Sequence, residues 1–224
     1  GDPADAYQAE FRQPREVAAD WPAPKDRAPN LQEVIRHGRI TTLIGLSGQK
    51  GAFTPEILAA LAANAPRPVI LALSNPTSCC ETTPEAVVAA TGGRGIIATG
   101  SPSRPVTLPD GREMTVSQCN NLYVFPGMGL GAIVCQAQKV SHRMFHAATC
   151  AISDMVTEEM RSTGCLLPAL ENAREISFAV ALAVARQAHD EGIGLAASDD
   201  RLAALIRGAM WEPKYYPYRA DMGH

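Results

Sequence analysis

Polar residues and glycines that could bind a small acid or a nucleotide stand in four short segments of the chain. Each segment adjoins an apolar run typical of a buried strand. In an open parallel sheet, ligands bind outside the carboxyl ends of the strands, so these segments are the candidate binding loops. They are Gly45-Leu46-Ser47-Gly48-Gln49-Lys50-Gly51, Ser74-Asn75-Pro76-Thr77-Ser78, Gly100-Ser101-Pro102 and Pro126-Gly127-Met128-Gly129.

Asparagine amides stand in the second of these segments and just before the last predicted strand. Asn75 precedes Pro76, which biases it toward an extended backbone, and its amide can donate to a carboxylate without changing the charge of the site. The alternative is that Asn75 only caps its own turn. Asn120 and Asn121 form a second amide pair, which either fills a loop or converges with Asn75 on one small acid. The sequence leaves both alternatives open.

Two further motifs have simpler explanations. Gly127-x-Gly129-x-x-Ala132 matches the letters of the dinucleotide fingerprint, but no acidic strand end follows about 20 residues later. A glycine-rich turn that allows close packing is the favoured interpretation. His142 and His146 have the spacing of two metal ligands on a helix, but no third ligand is evident, so an ordinary helix pair is predicted.

Strand and helix patterns alternate in the first half of the chain. Thr-Pro-Glu at residues 54–56 and 83–85 predicts capped helix starts after the first two strands. Apolar strands alternating with such helices predict an α/β fold, a Rossmann-like parallel sheet with helices on both faces. The predicted strands are residues 41–46, 68–73, 95–99 and 121–125.

The remaining segments predict a hairpin and a helical layer. VTLPDGREMTV carries an Asp-Gly turn between short strand-like runs, which predicts a hairpin. Helical patterns follow at 127–138, 141–157, 170–190 and 199–210. These patterns divide the chain into a lead-in segment at 1–40, an α/β part at 41–160 and a C-terminal helical part at 161–224.

Composition excludes several classes of protein. The chain has 224 residues, 46% of them hydrophobic, and a net charge of −3 without a basic stripe, which argues against nucleic-acid binding. Its apolar runs are too short to cross a membrane, and its N-terminus has no signal-like core, so we expect a cytoplasmic protein. The six cysteines lack metal-site spacing and are predicted to be reduced.

Six motifs in order resemble the C-terminal part of malic enzymes, which includes their NAD-binding domain. They are IGLSGQKGAFTPEIL, RPVILALSNPTS, GRGIIATGSPSRPV, QCNNLYVFPGMGLGAI, LLPALENAREIS and MWEPKYYPY. The resemblance implies oxidative decarboxylation of L-malate to pyruvate and CO2, with NAD or NADP as hydride acceptor and Mn or Mg as metal. It also implies homo-oligomers. It further implies that residues 1–40 are a lead-in segment from a truncated longer chain, that 41–160 are an incomplete dinucleotide-binding domain, and that 161–224 are a C-terminal helical extension of it.

The resemblance also assigns roles to residues of the candidate loops. Asn75, Asn120 and Asn121 would line the malate and nicotinamide site, with Asn75 and Asn121 also touching the cofactor. The segment from Gly45 through Leu46 and Ser47 to Gly48, together with Ser74, would lie along the cofactor.

Other elements of the family pattern are not found in this sequence. The tyrosine acid, lysine base, substrate arginine, metal-binding carboxylates and G-x-G-x-x-G of the family would precede Gly1. We therefore expect a fragment that is inactive without its missing N-terminal half. The alternative is a non-catalytic binding or assembly module that retains the malic enzyme fold.

Overall fold

The computed structural model describes residues 11–22, 26–215 and 217. The chain divides into two compact units, the first ending at Cys119 and the second beginning at Asn120. The domain boundaries predicted at residues 40 and 160 stay a prediction.

The first unit contains a four-stranded parallel sheet. Its order is β1-β2-β3-β6, and all neighbouring strands run parallel. Leu43, Ile70 and Ile97 lie side by side in the register of the first three strands. The α/β, Rossmann-like prediction is therefore confirmed. The strands are β1 Thr42–Gly45, β2 Val69–Ala72, β3 Ile96–Thr99 and, after a separate hairpin, β6 Ser117–Gln118.

Three capped helices belong to this unit. The Asn30 side chain accepts a hydrogen bond from the third residue of the first helix, completing a capping box with Glu33. Thr54 and Thr83 cap the next two helices, each with a proline in its first turn, which confirms the two predicted starts. The helices are α1 Leu31–Gly38, α2 Pro55–Asn64 and α3 Pro84–Thr91.

The core of the first unit joins these helices to one side of the sheet. The neighbouring strand residues Leu43, Ile70 and Ile97 pack against apolar residues of α1, α2 and α3. Burial of such side chains is the main stabilising term for the unit. On the other side of β1, the Ile44 side chain is 55% exposed. The core residues are Ile35, Leu43, Leu58, Leu61, Ile70, Val87, Val88 and Ile97.

The predicted hairpin is present and the predicted fourth strand is wrong. Strands β4 Val106–Thr107 and β5 Glu113–Met114 pair antiparallel around a turn in which Gly111 has φ +84°. Residues 121–125 instead form a 3₁₀ turn that leads into a helix, because Asn120 caps the turn and Pro126 suits a helix start. A five-residue apolar run is compatible with either structure, so its pattern could not separate them.

The second unit is helical, as predicted. Its longest helix, α7, packs against α4, α5 and α8 around a core that includes Ile176, Val180 and Val184. Gly127 and Gly131 of α4 lie against the backbone and side chains of α7. The helices are α4 Phe125–Val134, α5 His142–Asp154, α6 Glu158–Ser162, α7 Ala173–Asp190 and α8 Asp199–Ala209.

Two further findings concern both units. All six cysteines are unpaired. Among the described residues, no helix combines the length and apolar character that crossing a membrane requires.

Candidate functional site

Three of the predicted loops lie at the same edge of the sheet in the first unit. They follow β1, β2 and β3, which are parallel neighbours, so their carboxyl ends meet. Backbone hydrogen bonds continue the ladder into the loops: the Leu73 N–H donates to the Gly45 carbonyl, and the Gly100 N–H donates to the Ala72 carbonyl. The three loops, which contain Ser47, Ser74 and Ser101, therefore lie next to one another.

A buried carboxylate, Glu81, connects the first two of these loops. Its side chain is fully buried. Its Oε1 accepts hydrogen bonds from Ser74 Oγ at 2.6 Å, from the Ser47 backbone N–H at 2.8 Å and from Ser47 Oγ at 2.9 Å. Ser74 Oγ in turn accepts from the Gly48 N–H at 2.8 Å. One oxygen thus fixes the relative position of the loops that follow β1 and β2.

The second carboxylate oxygen of Glu81 explains why residue 45 is a glycine. Glu81 Oε2 is buried and has no hydrogen-bond partner among the described residues. A Cβ atom on Gly45 would lie 2.8 Å from this oxygen and 2.6 Å from the carboxylate carbon. Any larger residue at position 45 would therefore displace the Glu81 side chain.

Hydrogen bonding keeps Glu81 ionised despite its burial. Burial alone would raise the pKa of Glu81, but the hydrogen bonds donated by Ser74, by backbone N–H groups and by the Ser47 hydroxyl outweigh it and lower the pKa to about 2 from its ordinary 4.5. The negative charge is therefore present throughout the neutral range.

This low pKa predicts a pH-dependent contribution to stability. Because the folded-state pKa lies below the unfolded value, Glu81 stabilises the fold above about pH 4.5, and this contribution is lost as the pH falls toward 2. It amounts to about 3 kcal/mol, since one pKa unit corresponds to about 1.4 kcal/mol. We expect urea denaturation to show wild type more stable than Glu81→Gln at pH 7, with a gap that narrows below pH 4.5.

The matched control is Glu85→Gln, because Glu85 is exposed in the first turn of α3. Its stability difference from wild type should stay small at every pH. A constant gap between wild type and Glu81→Gln from pH 7 to pH 3 would contradict the assignment.

Asn75 is held by the loop that follows β3. The Ser101 Oγ donates to Asn75 Oδ1 at 2.5 Å, so the amide bonds across to the neighbouring loop and does not cap its own turn through that oxygen. Asn75 is exposed, and no described residue accepts a hydrogen bond from its Nδ2. A free amide N–H at a strand end is suited to bind a carboxylate or carbonyl oxygen.

Asn120 and Asn121 open the second unit. The Asn120 Oδ1 accepts from the Leu122 N–H at 2.9 Å and so caps the 3₁₀ turn, while Asn121 is exposed within that turn. Asn120 is therefore more than loop filler, although its Oδ1 is already used. The convergence of this pair with Asn75 stays a prediction.

Gly127 has a packing role, as its favoured interpretation predicts. A Cβ atom on Gly127 would lie 2.6 Å from Val180 Cβ and 2.7 Å from the Ser177 carbonyl oxygen, so the glycine lets α4 approach α7. Helix packing at such short distance requires a residue without a side chain. This explains the glycine without a bound phosphate.

The described residues do not fit a metal site. No three His, Cys, Asp or Glu side chains among them stand close enough together to hold an ion. His142 and His146 are both exposed on α5.

The loop after β1 fits a flat cofactor better. Gly48 has φ +66° and open space on the side where a side chain would stand, and the neighbouring Leu46 side chain is 75% exposed. An exposed apolar side chain beside open backbone gives a nucleotide ring a surface to pack on. Ser47 and Ser74 bind Glu81, and Gly45 lies against its carboxylate, so these three residues contact the carboxylate that fixes this loop.

Comparisons with known proteins identify the family of the chain. The family model described as malic enzyme, NAD binding domain, matches residues 3–189. A protein of Pseudomonas syringae pv. tomato described as an NAD-dependent malic enzyme is 38% identical over 213 residues, which are 95% of this chain and 38% of the relative. One of Psychrobacter cryohalolentis with the same description is 43% identical over 195 residues, covering 87% of this chain and 35% of the relative.

Solved structures share the fold. The malic enzyme of Pyrococcus horikoshii matches with a TM-score of 0.63 and 25% identity over 80% of this chain and 37% of its own. That of Entamoeba histolytica matches with a TM-score of 0.66 and 21% identity over 82% of this chain and 34% of its own. The chain thus spans less than two fifths of the length of these proteins. By its sequence and its fold, it belongs to the malic enzyme family and corresponds to the NAD-binding domain of that family.

Proposed function

We propose that the protein carrying this chain oxidatively decarboxylates L-malate to pyruvate and CO2 with NAD or NADP as hydride acceptor. The observation that carries this proposal is the match of nearly the whole chain to relatives described as NAD-dependent malic enzymes. The loops after β1 and β2 support it, since they offer an open nucleotide surface and an unpartnered amide donor at one sheet edge.

In this proposal the loops divide the work of binding. Leu46 and Gly48 support the cofactor, with Gly45, Ser47 and Ser74 holding the loop in place through Glu81. Asn75, Asn120 and Asn121 bind malate or the nicotinamide, and Asn75 and Asn121 touch both. NAD or NADP held by these residues would supply the acceptor for the hydride that leaves C2 of malate. A neutral amide suits this place because it can bind either the carboxylate of malate or the carbonyl of the product.

We further propose that the 224-residue chain alone does not turn over malate. A positioned acid or base contributes roughly 10² to 10⁴ in rate, and the tyrosine and lysine expected in these roles are not identified in this sequence. A Mn or Mg ion, a homo-oligomer and a cytoplasmic location complete the proposal. The competing proposal is a non-catalytic module that retains the fold for binding or assembly.

The test is malate-dependent reduction of NAD and of NADP, with Mn present. It compares the purified 224-residue chain with the whole product of its gene. We expect turnover only by the whole product if that product is longer. Turnover by neither protein would favour the non-catalytic module, and turnover by the short chain would contradict the proposed inactivity.

Substitution of Asn75 tests its assigned role. In the whole product of the gene, we expect Asn75→Ala to lower kcat/KM for malate roughly 10- to 100-fold, because a hydrogen bond to a charged group is worth about 1.5–3 kcal/mol. The matched control is Asn172→Ala, since Asn172 is exposed and makes no capping bond through its side chain. Equal kinetics in the two variants would remove Asn75 from the site.

A further inference from the structure

We propose that Ser101 is a positioning residue that fixes the Asn75 side chain so that its NH2 group faces the substrate as a donor. The inference rests on the proposed function, and it adds a residue to which the family resemblance gave no role. It concerns the polarity of the binding group, which the presence of an asparagine alone does not determine.

The geometry of the pair sets that polarity. A side-chain amide presents an acceptor on one side and two donors on the other, and a half-turn about its last bond exchanges them. The Ser101 Oγ lies 2.5 Å from Asn75 Oδ1 and donates its proton to it. One acceptor position of Oδ1 is therefore used, and no described residue accepts from Asn75 Nδ2, which leaves its protons for a ligand.

The loop after β3 holds Ser101 in place. Thr99 Oγ1 donates to the Ser101 carbonyl oxygen at 2.9 Å. At Gly100, a Cβ atom would lie 2.1 Å from the Leu73 carbonyl oxygen and 2.9 Å from Asn75 Nδ2. The ends of β2 and β3 thus approach as closely as they do because residue 100 has no side chain, and this approach brings the Ser101 hydroxyl to Asn75.

The consequence is selectivity for an anionic group. An NH2 group that faces outward stabilises a carboxylate, whereas an exposed amide oxygen at the same place would repel it. Without the Ser101 hydroxyl, no described residue holds the Asn75 amide in this orientation, and part of the binding free energy is used to order it. The loss should fall on substrate binding rather than on the chemical step.

The kinetic test is made in the whole product of the gene, the form expected to turn over malate, and compares Ser101→Ala with Ser101→Thr, which keeps the hydroxyl. We expect Ser101→Ala to raise KM for malate roughly 3- to 10-fold, the range of one neutral hydrogen bond, while kcat and the KM for the cofactor change less than about twofold. Ser101→Thr should restore most of the malate affinity. Unchanged KM in Ser101→Ala, or equal defects in the alanine and threonine variants, would overturn the proposal.

A double-mutant cycle shows whether Ser101 acts through Asn75. In an Asn75→Ala background, Ser101→Ala should have almost no further effect, because the group that it positions is gone. A full additive effect would mean that Ser101 works independently of Asn75, and the proposal would be wrong.

A measurement without turnover separates this proposal from the proposed function. The two NMR signals of the Asn75 side-chain NH2, assigned by their loss in Asn75→Asp, should be separate and sharp in wild type and in Ser101→Thr. In Ser101→Ala they should shift or broaden. Unchanged signals in Ser101→Ala would overturn the role of Ser101. Absence of malate turnover by the whole wild-type gene product, with the NMR result as expected, would overturn only the proposed function.

Discussion

Gly131→Ala is expected to destabilise the protein by about 3 kcal/mol, at the upper end of the range for overpacking a core. A Cβ atom on Gly131 would lie 2.5 Å from the Ala181 carbonyl oxygen and 3.0 Å from Val184 Cβ. Because two of the nearest atoms belong to the backbone of α7, no side-chain rotation relieves the clash, and α4 must move away. Urea denaturation followed by circular dichroism measures the loss.

Gly129→Ala is the matched control for this prediction. Gly129 lies on the exposed side of the same helix and has no atom within 4 Å of the position that a Cβ would take. Since alanine favours a helix over glycine by about 1 kcal/mol, this variant should be as stable as wild type or slightly more stable. Similar midpoints for the two variants would contradict the close contact of α4 with α7.

Glu81→Ala is expected to destabilise the protein by about 3 kcal/mol as well. The substitution leaves the Ser47 N–H and the hydroxyls of Ser47 and Ser74 without their acceptor, and hydrogen bonds to a charged group contribute about 1.5–3 kcal/mol each without adding fully. The backbone N–H groups of Ser47 and Gly48 should then exchange their hydrogens faster. Urea denaturation and hydrogen exchange measure the two effects.

The control for this prediction is Glu85→Ala, four residues along the chain and exposed. Its effect should be within about 0.5 kcal/mol, as for most surface substitutions. If Glu81→Ala and Glu85→Ala lower stability equally, or if exchange at Ser47 and Gly48 is unaffected, the carboxylate does not hold these loops.

The regular elements of the first unit were predictable because their signals are local. Thr54 and Thr83, each followed by a proline, start helices by hydrogen bonds that span three residues. The strand predicted at 121–125 was wrong because the structure of this run depends on the Asn120 cap. The cap accepts a hydrogen bond from a backbone N–H that would pair with a neighbouring strand if the run were extended. Periodicity carries no information on such a choice in a run this short.

The positions of the candidate loops were predictable from the sequence, but the hydrogen bonds between the loops were not. The order of strands and loops placed Ser47, Ser74 and Asn75 at one sheet edge. Glu81 gave no signal, since an acidic residue before a Thr-Thr-Pro helix start reads as an ordinary surface charge, and its partner Ser47 is 34 residues away. The bond from Ser101 to Asn75 spans 26 residues and equally depends on the folded sheet.

Because Gly45 lies against the Glu81 carboxylate, the residues tolerated at these two positions depend on each other. A protein with a larger residue at 45 has no room for a glutamate at 81, and a protein that shortens residue 81 frees room at 45 while releasing both serines. Single changes at either place are therefore disfavoured, and tolerated changes should occur together. Relatives that differ at position 45 are thus expected to differ at position 81 too. In these relatives, contacts other than a buried carboxylate should hold the loops after β1 and β2 together.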